Sequence, residues 1–414
     1  MKLRHLAGFL GLALPLLTGC RSDEALHAPD LSNTSGLFQR YVSMGNSITS
    51  GFQSGGINDS TQLQSYAVLI ATQAKAPFFD PLLNKPGCPA PFDINSTNPP
   101  HRLGGGSGTN CALREATPLP YVSNVAVPGV TSFGIESNTS PFGGTNALTQ
   151  FILGGRTQLK AMMDAHPTFV SVWIGNNDIL GSLTNGTNPG DPTLVTPETA
   201  FEANYGPILD SIQKVGAKAV LVGVVDVGLI PYASTGATYW CIKNQPACGF
   251  STPAPFPAAF QVLLNCAPKA AVPTSNGDSV LVPWVVGVPK IAAAQAMVPT
   301  TLDCSVDNEV VLPSEYKTLK TAVQGYDTYI SAQAQQRGWA YVDINELDAY
   351  KADPSKIAGF PQLPTGPAQP NVLFGSFFSL DGVHPSAAFH RVFADSIISA
   401  INRTYATTIP FVGP

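Results

Sequence analysis

At 414 residues the chain can bury a large core, and length alone allows one to three domains. Only 12% of residues are charged, against about 25% in a typical protein. The net charge is −5 and no basic block occurs, which argues against nucleic acid as a partner and fits a loop-rich, exported protein.

Lys2, Arg4 and His5 give a positive start, and residues 6–17 form an apolar run too short to remain as a membrane span. The run ends in Leu17-Thr18-Gly19-Cys20. This stretch resembles a bacterial lipobox, which implies a signal peptide over 1–19, a lipidated Cys20 and a polar tether over 20–36. An ordinary signal peptide with an incidental cysteine is the plainer alternative. In a Gram-negative host, Arg21 after Cys20 favours the outer membrane, so attachment to the cell envelope through an N-terminal lipid is expected.

Six cysteines remain: Cys88, Cys111, Cys241, Cys248, Cys266 and Cys304. An even number in an exported chain reads as three disulfides, and neighbour pairing (Cys88–Cys111, Cys241–Cys248, Cys266–Cys304) is the simplest of the possible connectivities. A zinc site is the competing reading. No paired Cys-x-x-Cys or clustered His supports it, so no metal or other cofactor is expected.

The first strand is expected over residues 41–44, followed by a turn at Gly45-Asn46-Ser47 and a crossover helix over 63–76. Residues 77–120, rich in Pro, Gly, Asn and Ser, read as a long surface insertion. A second strand over 121–127 ends at Pro128-Gly129. A helical segment over 148–165, interrupted at Gly154-Gly155, leads to a third strand over 168–174. Helix 198–215 and a fourth strand over 217–225 repeat the pattern, as do helix 314–337 and a fifth strand over 339–344. The last helix is expected to start at Pro385, a favoured first-turn residue.

Residues 233–312 interrupt the alternation with four cysteines, many prolines and the apolar run 280–289. Pro283, Gly287 and Pro289 argue against a membrane span. Buried hairpin strands in an inserted subdomain fit better, and a lid over a site is the functional reading of the same segment. Alternating strands and helices imply right-handed crossovers, hence a parallel sheet with helices on both faces and one α/β domain over 37–414, with insertions at about 77–120 and 233–312.

In such a sheet the strand ends gather on one edge, where sites are built. Ser47 follows strand one, Gly129 strand two and Gly175-Asn176-Asn177-Asp178 strand three; Asp381-Gly382-Val383-His384 precedes the last helix. Acyl transfer requires a nucleophile, a base, an orienter for the base and donors for an oxyanion. Ser47 supplies the hydroxyl, His384 an imidazole that can take its proton, and Asp381 a carboxylate near enough to hold the ring. The backbone N–H groups of Ser47 and Gly129 and the amide of Asn177 are the candidate donors. Each has a plainer reading: a loop serine, a turn glycine, a loop asparagine, and an aspartate capping a helix. His390, in the last helix, reads as structural.

The blocks Gly45-Asn46-Ser47-Ile48, Asn124-Val125-Ala126-Val127-Pro128-Gly129, Gly175-Asn176-Asn177-Asp178 and Asp381-Gly382-Val383-His384 occur in the order found in the SGNH, or GDSL-like, hydrolases, and the chain resembles that family over residues 41–384. The resemblance implies a three-layer α/β/α, flavodoxin-like fold with a mainly parallel five-stranded sheet and large loop insertions. It also implies ester hydrolysis, with Ser47, Gly129, Asn177 and His384 in the four eponymous roles and Asp381 completing a triad. Asn46 departs from the family's usual Asp. A literal Gly277-Asp278-Ser279-Val280 lies inside the second insertion and is a decoy, since no further blocks follow it before His384. The expected activity is therefore an esterase or lipase acting on lipid-like or small acyl esters. An O-deacetylase of carbohydrate or cell-surface esters is the first alternative and a non-enzymatic surface binding lipoprotein the second.

Overall fold

The structure, a computed structural model, describes residues 36–93, 101–105, 114–115, 118–137, 146–244, 256–348, 356–357 and 374–413. Cys20, Cys111 and Cys248 lie outside the described residues. In chain order the strands are β1 (Tyr41–Gly45), β2 (Phe169–Trp173), β3 (Lys218–Val222), β4 (Ala233–Thr235), β5 (Phe260–Val262), β6 (Leu281–Pro283), β7 (Thr300–Leu302) and β8 (Ala340–Val342). The first helices are α1 (Ser47–Ser50), α2 (Asp59–Gln62), α3 (Tyr66–Gln73), α4 (Gly134–Ser137), α5 (Ala147–Leu153) and α6 (Gln158–Ala165). They continue with α7 (Asn177–Thr184), α8 (Glu198–Lys214), α9 (Gly236–Lys243), α10 (Trp284–Gln295), α11 (Pro313–Arg337) and α12 (Ala387–Tyr405).

The main sheet is parallel throughout, in the order β1-β2-β3-β8, with Tyr41 opposite Phe169, Phe169 opposite Lys218 and Val220 opposite Ala340. Every residue of β1 and β2 is buried, as strands covered on both faces must be. Helices α6 and α8 pack together and onto β1 and β3 respectively, and α11 packs on α8. The packed pair α3 and α12 forms a second group, reaching β3 and β8 through α12. The fold is α/β, with a mainly parallel sheet.

A fifth regular strand over 121–127 is not formed. Residues 123–127 instead run parallel to β1 through three backbone bonds: Ser43 N to Ser123 O (2.8 Å), Val125 N to Ser43 O (2.9 Å) and Val127 N to Gly45 O (3.2 Å). The ladder breaks at Gly45, whose N–H goes to Gln158 Oε1 rather than to Val125 O, while Asn124 Oδ1 accepts from Ala126 N and its amide donates to Thr49 O. Counting this segment, the spatial order of the five is second, first, third, fourth, fifth. That is the flavodoxin-like order, whose switch point lies between β1 and β2.

Local chemistry shifts several expected boundaries. Ser65 caps α3, so the helix starts at Tyr66 rather than 63. Gly154 ends α5 in the left-handed conformation and Thr157 caps α6, which makes two helices of the 148–165 segment. Ser386, not Pro385, opens α12: its hydroxyl accepts from Phe389 N, while Pro385 pairs with Phe378 in an antiparallel bridge.

The insertion has its own small core, including Tyr239, Phe260, Val280, Val282, Ile291 and Val310. β4 pairs with β6 antiparallel, and β5 with β7 parallel. The expected hairpin over 280–289 is half right. Pro283 closes β6, the Trp284 N–H turns away to Tyr232 O at 2.8 Å, and the chain continues as α10 with Pro289 inside it. Cys266 and Cys304 are bonded across this core, as neighbour pairing expects, with their Cα atoms 5.2 Å apart. Cys88 and Cys241 are also in disulfides, with partners outside the described residues. Among the described residues no helix is long and apolar enough to cross a membrane.

Candidate active site

The end of β1 is fixed before Ser47 is presented. Gln158, at the start of α6, accepts from Gly45 N at 3.1 Å and donates to Gly45 O at 2.8 Å. Gly45 has to be glycine, since a Cβ there would lie 1.9 Å from Thr49 Oγ1. The expected turn at 45–47 is a helix start: Asn46 is the N-cap of α1, its Oδ1 accepting from Ile48 N at 3.1 Å, and Ser47 is the first helical residue. In that position the Ser47 N–H has no intrahelical acceptor and makes no other backbone bond.

Asp381 and His384 form the second part. His384 Nδ1 lies 2.9 Å from Asp381 Oδ2. Oδ1 of the same carboxylate accepts from His384 N and Val383 N, both at 2.9 Å, and from Ser379 Oγ at 3.1 Å. Oδ2 also accepts from Gly55 N at 2.6 Å. Burial pushes the carboxyl up, but the neighbouring His384 ring and these bonds outweigh it and hold Asp381 down at about 2. An ionised Asp381 requires the proton on Nδ1, which leaves Nε2 as an acceptor. The Phe52 ring flanks the imidazole, centroid to centroid 4.7 Å. So the aspartate both caps the turn and holds the ring; the two readings of that motif are not exclusive.

Asn177 opens α7 and donates to Val130 O at 2.9 Å. Asp178, 1% exposed, accepts from Ser132 N at 2.9 Å and Ser132 Oγ at 2.7 Å. Both residues therefore pin the loop that follows Gly129. Burial pushes the Asp178 carboxyl up to about 6, with the Ser132 bonds offsetting only part of it. Gly129 takes φ +79°, open to glycine and strained for other residues, and its N–H makes no backbone bond.

Ser47, Asn176, Asn177 and His384 line one cavity whose remaining wall is apolar: Ile48, Leu180, Val225, Val227, Ile230, Phe378, Val383, Pro385 and Phe393. It offers about 40 Å³ to the centre of a water-sized sphere. No hydrogen bond joins Ser47 Oγ to His384 within it, a looseness common in ligand-free sites. Gly129 is not part of this lining and stands beside it, tethered through Val130. No described residue from 233–312 lines the cavity either.

Other sequence features take structural places. Gly277 of the decoy block packs so tightly that a Cβ would lie 1.9 Å from Cys266 O, and Ser279 Oγ bonds back to Asn276 O. His390 is fully buried and accepts from Tyr66 N through Nδ1. Sequence reasoning missed Gln158, Ser54, Gly55 and Ser379, all of which bond across long separations that no local pattern marks. Asp178 closes the block Gly175-Asn176-Asn177-Asp178, where an aspartate after a strand reads only as a loop former.

No protein-family model matches the chain, and no curated protein matches it. Among solved structures it is similar to a mutant of Axe2, an acetylxylan esterase from Geobacillus stearothermophilus, at 12% identity and TM-score 0.38, over 91% of this chain and 96% of that one. It is similar also to TesA at 11% identity and TM-score 0.36, over 88% of this chain and 99% of that one. Both likenesses are distant. The α/β assignment stands on strand order and parallel register.

Proposed function

We propose that the chain is a carboxylic ester hydrolase of the SGNH type. The observation that carries this is the Asp381–His384 pair, whose imidazole faces the same cavity as Ser47 and Asn177. Ser47 Oγ attacks the ester carbonyl while its proton passes to His384 Nε2, and Asp381 stabilises the imidazolium that forms. The carbonyl oxygen becomes an oxyanion held by the N–H groups of Ser47 and Gly129 and the free N–H of the Asn177 amide. The intermediate expels the alcohol, which leaves with the proton from His384. Water, deprotonated by the same ring, then releases the acid and restores Ser47.

The cavity favours small acyl groups. One water needs roughly 10–15 Å³ on this measure, so about 40 Å³ holds a short acyl chain rather than a lipid tail. This supports short-chain esters, including acetyl esters of carbohydrate or other cell-surface material, over long-chain lipids. Lipidation at Cys20 would hold the enzyme at the cell envelope.

An active-site phosphonate tests the assignment. Folded wild type is expected to be labelled at Ser47 and to lose esterase activity in proportion, while Ser47→Ala takes no label. Label elsewhere, or hydrolysis that survives in Ser47→Ala, removes Ser47 as the nucleophile.

A further inference from the structure

The first insertion reads from sequence as surface decoration, yet it grips the loop that holds Asp381. Residues 53–57 lie between two partners. On one side the insertion pairs with them along its length: Cys88 N to Ile57 O (2.9 Å), Ile57 N to Pro89 O (2.9 Å) and Phe92 N to Ser54 O (2.7 Å). On the other side the segment 379–381 crosses them. Ser54 N donates to Ser379 Oγ at 2.8 Å, Leu380 N donates to Ser54 Oγ at 3.2 Å, and Gly55 N donates to Asp381 Oδ2 at 2.6 Å.

Arg102, itself in the insertion, fastens this contact at Gly55. Its Nη1 donates to Gly55 O at 2.7 Å and to Ala90 O at 2.6 Å, and the guanidinium lies 4.4 Å from the centroid of the Phe92 ring. Gly55 thus has its carbonyl fixed by Arg102 while its N–H holds the carboxylate oxygen that also meets His384 Nδ1. Phe92 closes the space around it, since a Cβ on Gly55 would lie 2.5 Å from Phe92 Cε2. Ser54 and Gly55 both take positive φ, 53° and 68°, so the loop does not keep this shape by backbone preference alone.

We propose that Arg102 is a positioning residue for Asp381, acting through Gly55, and that the first insertion is thereby part of the hydrolytic apparatus. The proposal rests on the reading of Asp381 as the orienter of His384. Arg102 touches no substrate; it sets where a carboxylate oxygen sits, and a displacement of about 1 Å at such a group can cost on the order of 10²-fold in rate. A charged donor to a carbonyl is also among the stronger single hydrogen bonds, which suits a latch between two loops.

The test compares Arg102→Met, which keeps the aliphatic stem over Phe92 and loses every donor, with Arg102→Lys, which keeps a charged donor. Phosphonate titration first counts the sites able to react, so that partial unfolding shows as fewer sites and not as slower ones. Per titrated site, Arg102→Met is expected to lose about 10- to 10²-fold in kcat with KM changed far less. Its acid limb of kcat/KM is expected to move to lower pH, because a carboxylate held less firmly stabilises the imidazolium less. Arg102→Lys is expected to recover most of the rate and the wild-type limb. Wild-type kcat per site and an unmoved acid limb in Arg102→Met overturn the proposal while leaving the hydrolase reading intact. Failure of the wild type itself to be labelled at Ser47 overturns both. Should Arg102→Met not fold, Arg102→Gln, shorter, uncharged and unable to bridge Gly55 O and Ala90 O, reads the same latch: a per-site loss in kcat with a shifted acid limb supports it, and an unchanged profile overturns it.

Discussion

Asn177 Nδ2 donates to Val130 O at 2.9 Å, which joins the start of α7 to the residue just after Gly129. That bond uses one amide hydrogen, so in the proposed hydrolysis Asn177 would both donate to the oxyanion and align the Gly129 N–H as a second donor. Removing one oxyanion donor typically costs about 10²–10³-fold in turnover. Asn177→Ala is expected to reach the upper end of that range, because the Gly129 N–H loses its tether as well, with KM little affected. A rise in KM at unchanged kcat would make Asn177 a substrate contact instead. Steady-state kinetics on one short-chain ester separate the two outcomes.

Asp178 supports the same loop from beneath, and its protonation is tied to stability. Its carboxyl sits at about 6 in the fold against an ordinary 3.8. A raised carboxylate pKa means that the folded state prefers the acid form, so the contribution is greatest below pH 3.8 and is lost as pH rises through about 6. Asp178→Asn keeps an oxygen for Ser132 N and cannot ionise. Relative to wild type its Tm is expected to improve from pH 4 to about 6 and then level off, and a Tm difference that does not vary with pH would contradict the assignment. Asp178→Ala, by contrast, strands the Ser132 donors at about 1–3 kcal/mol per unsatisfied buried group.

His390 has the opposite sign. It is fully buried, its Nδ1 accepts the first N–H of α3, and burial followed by the nearby His384 charge pushes it down to about 3 from 6.5. The folded state holds the neutral ring, so the stabilisation is complete above pH 6.5 and is lost as pH falls toward 3. The slope from one such group approaches about 1.4 kcal/mol per pH unit. His390→Asn places an oxygen near the Nδ1 position and removes the titration. Its unfolding free energy is expected to fall less steeply than that of wild type between pH 6.5 and 4.5, as urea unfolding at several pH values would read. Equal slopes would show that His390 is not held neutral.

The sheet was legible because its strands are buried on both faces and read as largely apolar runs; Ala219 to Val222 is the clearest. The Asp381–His384 pair was legible because its partners stand three residues apart on one turn. What stayed hidden was written in pairs with no local trace. Arg102 meets Gly55 across 47 positions and Ser54 meets Ser379 across 325, and neither pairing leaves a periodicity to find. The helix at Ser47 escaped for a different reason: at four residues α1 is too short to show an apolar stripe, and only the Asn46 cap marks it. Asn46 meets what that cap requires. Its Oδ1 suffices for the cap, and it is wholly buried with an Nδ2 that finds no partner, so the position asks for one acceptor and no charge.

The apolar wall of the cavity should decide acyl length. Ile48, Leu180, Val225, Val227, Ile230 and Phe393 surround a space of about 40 Å³. Acetyl to butyryl esters are expected to be turned over well and palmitoyl esters poorly. Leu180 is the residue to change, because it is only partly buried and its loss leaves most of the core intact. Each methylene that finds an apolar seat gains about 0.8 kcal/mol, or roughly fourfold in relative kcat/KM. Leu180→Ala, by opening room for two more carbons, should therefore raise the ratio of hexanoyl to acetyl hydrolysis by roughly fifteenfold. Leu180→Trp should do the reverse, sparing acetyl esters and depressing butyryl ones. A chain-length profile that neither substitution moves would place the acyl group elsewhere, on a surface not shaped by α7, and would leave the small cavity behind Ser47 without a role in specificity.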